Sequence, residues 1–325
     1  MTTKVSTYAA SGLLEGDDDS NIVTTRNLTK KFGDRIAVNK VSLAIPRGIA
    51  FGYLGPNGAG KTTLIRMLLG LTQPTSGEMV LRGYRLPSHR SAALSKVGAI
   101  IEEPRFHPHL TGRENLEVFA SVRDKEAFGR ISGALERVGL GERATERVRG
   151  YSLGMRQRLG IARCLLSDPE LLILDEPMNG LDPGGILEFR HLIRSFVDEG
   201  RTVVISSHLL DEIEKTCDAV AIVDSGQVVK QGNLSELTGI STGTALFEVN
   251  SSDLAQSIIA ETRLTLGVTK ISDTELRVQL AKGIPTSQIT KALVDAGIAV
   301  ESILNETTNL EDEFLAITNK SGVQL

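Results

Sequence analysis

The chain has 325 residues, enough for one large domain and a smaller second one. Its 36 basic and 40 acidic side chains nearly cancel, and 41% of residues are hydrophobic, as in a soluble globular protein. The charge balance gives no argument for a nucleic-acid partner, and few aromatics and no Trp leave little for base stacking. No apolar run approaches the roughly 18 residues a membrane helix needs, and no basic-then-apolar start marks a secretory signal. Work at a membrane would require another chain to cross it. Cys164 and Cys217 both fall in apolar helical patterns. They are expected as buried free thiols in a reducing compartment.

In chain order, residues 1–20 are polar, aperiodic and end in "EGDDDS"; they are expected as a disordered leader. Residues 22–31 and 37–45 alternate as strands around a Gly-Asp turn. Residues 49–54, "IAFGYL", are a buried strand running into a glycine loop, and a helix follows from about Lys61 to Gly70. Further strands are expected at 78–83, 97–101, 171–175, 202–206 and 219–232, the last folding back at Asp224-Ser225-Gly226. Helical patterns occupy 112–138 with breaks, 154–167, 185–198 and 209–217. Apolar strands alternating with helices predict a mostly parallel sheet covered on both faces, with two antiparallel strands at one edge.

A boundary is expected near 232–243, where the rhythm changes to β-α-β-β-α-β, the order of a ferredoxin-like module. A closing helix follows at "LEDEFLAIT". The expected division is a domain over 21–232, a linker over 233–242 and an accessory domain over 243–325.

"GPNGAGKTT", Gly55–Thr63, fits the spacing Gly-x-x-x-x-Gly-Lys-Ser/Thr between a buried strand and a helix. Glycines let successive backbone N–H groups converge on a phosphate, and the helix start adds a positive end. Lys61 supplies a point charge to the β- and γ-phosphates, and the Thr62 hydroxyl suits Mg²⁺. "LLILDEP", Leu171–Pro177, is an apolar strand ending in two carboxylates. Asp175 can hold Mg²⁺, and Glu176 can orient or deprotonate the attacking water. At "YSLGMRQR" Ser152 stands where a helix N-cap would, and Gly154 leaves room for an approach to the backbone. That turn is either a second anion site or an ordinary capped core helix.

The motifs "GPNGAGKTT", "SLGMRQR", "LLILDEP", "NGLDP" and "SSH", in that order, resemble the nucleotide-binding subunit of an ABC transporter. The resemblance covers residues 22–232. It implies a phosphate-loop α/β ATPase domain with a mixed sheet and a helical subdomain over about 103–166; the small α+β ferredoxin-like domain beyond it rests on the element order alone. It also implies ATP and Mg²⁺ sandwiched between two copies of the chain, the signature turn of one facing the ATP of the other. The phosphate loop would be Gly55, Asn57, Gly58, Ala59, Gly60, Lys61, Thr62 and Thr63. Phe32 matches the aromatic that stacks on adenine, the plain alternative being a core residue at a strand end. Ser152, Gly154 and Met155 match the signature, whose commoner form is Leu-Ser-Gly-Gly-Gln. Asp175 and Glu176 match the metal holder and the base. Asp182 matches the inter-subunit loop, against a simple turn Asp before Pro183. His208 matches the switch histidine at the γ-phosphate, against a solvated helix cap.

One departure is Glu102, within "VGAIIEEPRFHPHLTGRENL", where the family usually has Gln. A carboxylate there can still bind metal. Glu at this place, together with the C-terminal extension, resembles exporters of antibiotics and antimicrobial peptides of the bacitracin, lantibiotic and daunorubicin-resistance type. The resemblance therefore implies a homodimer on ATP binding and an integral membrane permease at the cytoplasmic face of the membrane. A soluble ATPase of the same class, acting as a regulator or immunity factor without transport, is the alternative. Coiled-coil chromosome-type members are excluded by the short 64–150 interval without sustained heptads.

Overall fold

The computed structural model describes residues 20–237, 244–262, 264–281, 284–305 and 310. The chain divides into two compact units, Met1–Asn233 and Leu234–Leu325.

The first unit opens with an antiparallel hairpin, β1 (Asn21–Phe32) and β2 (Arg35–Pro46), closed over Gly33 and Asp34. Strand β3 (Ala50–Leu54) is buried throughout and leads through the glycine loop into α1 (Lys61–Leu68). The chain continues with β4 (Ser76–Leu81), β5 (Tyr84–Leu86), α2 (Arg90–Leu94) and β6 (Val97–Ile100). Three helices follow, α3 (Gly112–Ala120), α4 (Lys125–Arg137) and α5 (Leu153–Leu165), packed on one another within the expected helical subdomain. Strand β7 (Leu171–Asp175), α6 (Pro183–Asp198), β8 (Thr202–Ser207), α7 (Leu210–Thr216), β9 (Ala219–Asp224) and β10 (Gln227–Asn233) complete the unit.

The core sheet has the order β10-β9-β3-β8-β7-β6. Its strands β9, β3, β8, β7 and β6 are parallel, and only β10 runs antiparallel. Strands β3, β7, β8 and β9 are continuous buried runs, as a sheet covered on both faces requires. The expectation of two antiparallel edge strands is corrected to one. Only β10 is joined to a core strand by a tight turn. Strands β1 and β2 instead form a separate antiparallel sheet of order β2-β1-β4-β5. Their burial is mixed along each strand, which suits a sheet with one wetter face. Helix α1 lies between the two sheets. Its Leu64, Ile65, Met67 and Leu68 share one core cluster with Ile22 and Leu43 on one side and Phe51 and Ile173 on the other. The helix that presents the phosphate loop is therefore held from both sides by apolar packing.

The second unit starts with a short helix, α8 (Leu234–Leu237), inside the stretch expected as linker. Its Leu234 and Leu237 are buried, which explains why this segment folds. Then come β11 (Thr244–Val249), α9 (Ser252–Glu261), β12 (Thr265–Lys270), β13 (Glu275–Leu280), α10 (Thr286–Asp295) and β14 (Val300–Asn305). The sheet order β12-β13-β11-β14, antiparallel throughout, is the ferredoxin-like arrangement. Phe247, Leu276, Val278, Ile289 and Leu293 form its core. Of the expected closing helix only Leu310 falls within the described residues, and of the expected leader only Ser20 does.

Candidate nucleotide site

The loop after β3 is shaped by close backbone approaches. Gly60 has φ +97°, and a Cβ there would stand 2.2 Å from the Ala37 carbonyl oxygen of β2. A Cβ on Gly55 would stand 2.3 Å from the Val223 carbonyl oxygen. The Gly226 N–H donates to the Ala59 carbonyl at 3.2 Å, and the Asn39 N–H donates to the Gly226 carbonyl at 2.8 Å. Gly60, the N-cap of α1, supplies no side-chain acceptor. The first N–H groups of α1 are thus left for an anion, at the positive end of the helix.

Lys61 is buried, with its ammonium donating to the Gly55 carbonyl at 2.6 Å. The same ammonium lies 3.0 Å from Oε1 of Glu176. That oxygen is buried and has no hydrogen bond of good geometry, so the contact is purely ionic. The other oxygen of Glu176, Oε2, meets Nδ1 of His208 at 2.9 Å. Glu176 itself has φ +48°, an uncommon conformation for a residue with a side chain. Its backbone N–H donates to the Ser206 hydroxyl at 3.0 Å.

Asp175, at the tip of β7, is buried and accepts from the Thr62 hydroxyl at 2.7 Å. Its second oxygen accepts a short hydrogen bond from Ser206. The parallel pairing of β7 with β8 places Asp175 beside Ser206. Sequence reasoning missed Ser206, although "SSH" held it one strand away; only the strand pairing reveals its role as a fastener for both acids.

A cavity of about 360 Å³ opens over the loop, lined by Phe32, Arg35, Ala37, Asn57, Gly58, Gly60, Lys61, Thr62, Thr63 and Glu176. Phe32, half-exposed at the end of β1, therefore shares a cavity with the phosphate loop, and the Lys30 ammonium sits 4.8 Å from its ring centre. Arg35 and Ala37 were not foreseen. Gly55 and Ala59 act from behind the cavity, their carbonyls holding Lys61 and Gly226.

The signature residues lie elsewhere. Ser152 is the N-cap of α5, its hydroxyl accepting from the Met155 N–H at 3.2 Å. Asp182 is the N-cap of α6, accepting from the Gly185 N–H at 3.1 Å. Ser152, Gly154 and Asp182 line a separate cavity of about 460 Å³ that also takes in Arg158 and Glu188. Glu102 lines neither cavity. It has φ +62° and pairs with Arg66 at 2.8 Å rather than standing with Thr62 and Asp175.

Both cysteines are free and buried. Burial pushes the Cys164 thiol up to about 11, and burial raises Cys217 further still. Desolvation also raises the Tyr151 phenol, which donates to the Arg143 carbonyl at 2.7 Å behind the signature turn. Among the described residues, no helix is long and apolar enough to cross a membrane.

Residues 38–179 match the family model described as ABC transporter. The chain is 38% identical to a bacitracin transport ATP-binding protein of Enterococcus faecalis, over 93% of this chain and 98% of that one. A subunit of a Clostridium perfringens ABC transporter complex matches with a TM-score of 0.62 and 28% identity, over 67% of this chain and 90% of that one. A dimeric ATP-binding cassette in a post-hydrolysis state, bound to ADP and Pi, matches with a TM-score of 0.58 and 25% identity, over 65% and 98%. A phosphate loop pinned by three backbone approaches, a paired Asp and Glu at a strand tip, and these likenesses converge. The chain belongs to the ABC transporter ATP-binding proteins and is an ATP-hydrolysing subunit of such a transporter.

Proposed function

We propose that this subunit drives export of an antibiotic or antimicrobial peptide through a separate integral membrane permease, and that its ATP site is completed by a second copy of the chain. The separation of the two cavities carries the second part. The phosphate loop, Glu176 and His208 meet at one place, whereas Ser152, Gly154 and Asp182 line another. Each chain thus offers two half-sites, and head-to-tail pairing of two chains makes two whole ones. The export reading rests on the bacitracin transport relative, which this chain matches over nearly its whole length.

The residues present fit ATP and Mg²⁺. A buried ammonium with an ionic partner and an α1 N-terminus without a side-chain cap suit the β- and γ-phosphates. The Thr62 hydroxyl and Asp175 would hold Mg²⁺, which neutralises phosphate charge when bound. Phe32 and Arg35 flank the cavity where the base would lie. Lys61 exchanges Glu176 for phosphate oxygens, which frees Glu176 to take a proton from the attacking water. His208, on the other oxygen of Glu176, fixes the orientation of that carboxylate. Ser152 and Gly154 of the second copy close the cavity and exclude water from the reacting bond. Work at the cytoplasmic face of the membrane follows from pairing with the permease.

Mixing two inactive variants tests the composite site. Lys61→Ala removes one phosphate loop and Ser152→Arg blocks one signature turn. Neither alone should hydrolyse ATP, and the mixture should, because the mixed pair holds one intact site. Full activity of Ser152→Arg alone would show a self-contained site. Purification of the chain with an integral membrane protein, whose cognate antimicrobial stimulates turnover, tests export.

A further inference from the structure

Two adjacent carboxylates link the phosphate-loop helix to the signature helix. Arg66 lies one turn beyond Thr62 on α1, so the two side chains share a face. Its guanidinium donates to Oε1 of Glu102 at 2.8 Å. The next residue, Glu103, takes the opposite direction and accepts from Nε of Arg156 at 3.1 Å. Arg156 belongs to the first turn of α5, and its Nη1 donates to the Tyr151 carbonyl at 2.7 Å. Tyr151 directly precedes Ser152. Consecutive carboxylates diverge in this way because Glu102 holds φ +62°, a strained setting for a residue with a Cβ.

We propose that Arg66, Glu102, Glu103 and Arg156 form an ionic relay that sets the signature turn by the state of the same chain's phosphate-loop helix. The proposal rests on the composite-site reading above. Under it, the turn set by this relay serves the ATP held by the other copy, so occupancy of one site biases completion of the second. Arg156 and Glu103 are positioning residues: neither lines the nucleotide cavity. Both ion pairs are at least part-exposed, so each is a weak bond that can open during a cycle. Their effect belongs in the pairing of two copies rather than in folding. Tyr151 is anchored on the far side of the turn by its hydroxyl bond to the Arg143 carbonyl at 2.7 Å.

The test uses the full chain carrying Glu176→Gln, which retains ATP, and measures ATP-driven dimerisation by sedimentation. Glu103→Gln and Arg156→Met should each raise the ATP concentration for half-dimerisation about two- to fivefold, the range of a part-exposed ion pair. Binding of a fluorescent ATP analogue to monomers made with Ser152→Arg should stay unchanged in both. The charge exchange, Glu103→Arg with Arg156→Glu, should restore dimerisation. Arg156→Lys, which keeps the charge, serves where the methionine variant does not fold, and should lie between Arg156→Met and the parent. Single variants that dimerise like the parent overturn the relay, and so does a charge exchange no better than the worse single. A parent chain that stays monomeric with ATP instead overturns the composite-site reading, and the relay with it.

Discussion

The ammonium of Lys61 lies 3.0 Å from Oε1 of Glu176. The group that would hold phosphate and the group that would activate water are thus each other's counter-ion. Under the proposed mechanism, phosphate oxygens take over Lys61 before Glu176 can act on water.

Glu176→Gln removes that carboxylate charge and the proposed base together. Hydrolysis should fall by about 10²–10⁴. ATP should bind at least as tightly as to the parent, since Lys61 no longer has a competing anion. Single-turnover hydrolysis and equilibrium binding of a fluorescent analogue check both halves, and weaker binding would show that the ion pair does not compete with nucleotide.

Lys61→Ala has the opposite profile. The charge-assisted bonds to phosphate go, and nucleotide binding should weaken roughly 10–100-fold. Glu176 keeps His208 as a partner, so the fold should persist. Equilibrium binding and thermal melting of the variant separate these two effects.

Two loop glycines should respond differently to alanine. Gly58 has φ +83° but open space around a Cβ, whereas Gly60 combines φ +97° with the Ala37 carbonyl 2.2 Å away. Gly58→Ala should cost about 1–2 kcal/mol of stability from backbone strain. Gly60→Ala should cost more than that and should also lose nucleotide binding, because Ala37 is backbone in a paired strand and cannot step aside. Denaturant midpoints for the two variants give the comparison; equal midpoints would mean that the loop relaxes freely.

The thiols predict a pH dependence. Burial raises Cys164 from its ordinary 9.0 to about 11, so the folded chain keeps this thiol neutral where the unfolded chain ionises it. A raised acid pKa gives stability that is full below pH 9 and is lost as pH climbs toward about 11. Urea midpoints should fall across that window, and a thiol reagent at pH 8 should modify neither cysteine until the protein unfolds.

Much of this architecture was legible from residues alone. The buried runs of β3, β7, β8 and β9, and the glycine loop before α1, declare themselves by composition. The cap at Ser152 was legible too, because a small polar side chain before an apolar period has one common use, whereas Asp182 was read as an inter-subunit or turn residue and only the structure shows it capping α6. What stayed hidden depends on pairing across the sheets. Ser206 reaches Asp175 only because β7 and β8 are neighbours in a particular register. Arg35 and Ala37 reach the cavity because the β1–β2 hairpin folds over the loop, a tertiary fact without a local signal. Strand β5 and helix α2 are three and five residues long, too short for any period to show. Glu102 was expected with Thr62 and Asp175, but local strain and Arg66 hold it elsewhere.

The Ala37 carbonyl sits against Gly60 and also against Gly226, where a Cβ would come within 2.9 Å. Segments from three distant parts of the sequence therefore meet at one oxygen atom. A loop fixed in this manner takes its shape when the protein folds, before any triphosphate arrives. The entropy of ordering it is charged to folding, so the ligand meets a finished mould and little of its affinity is spent on closing the cradle.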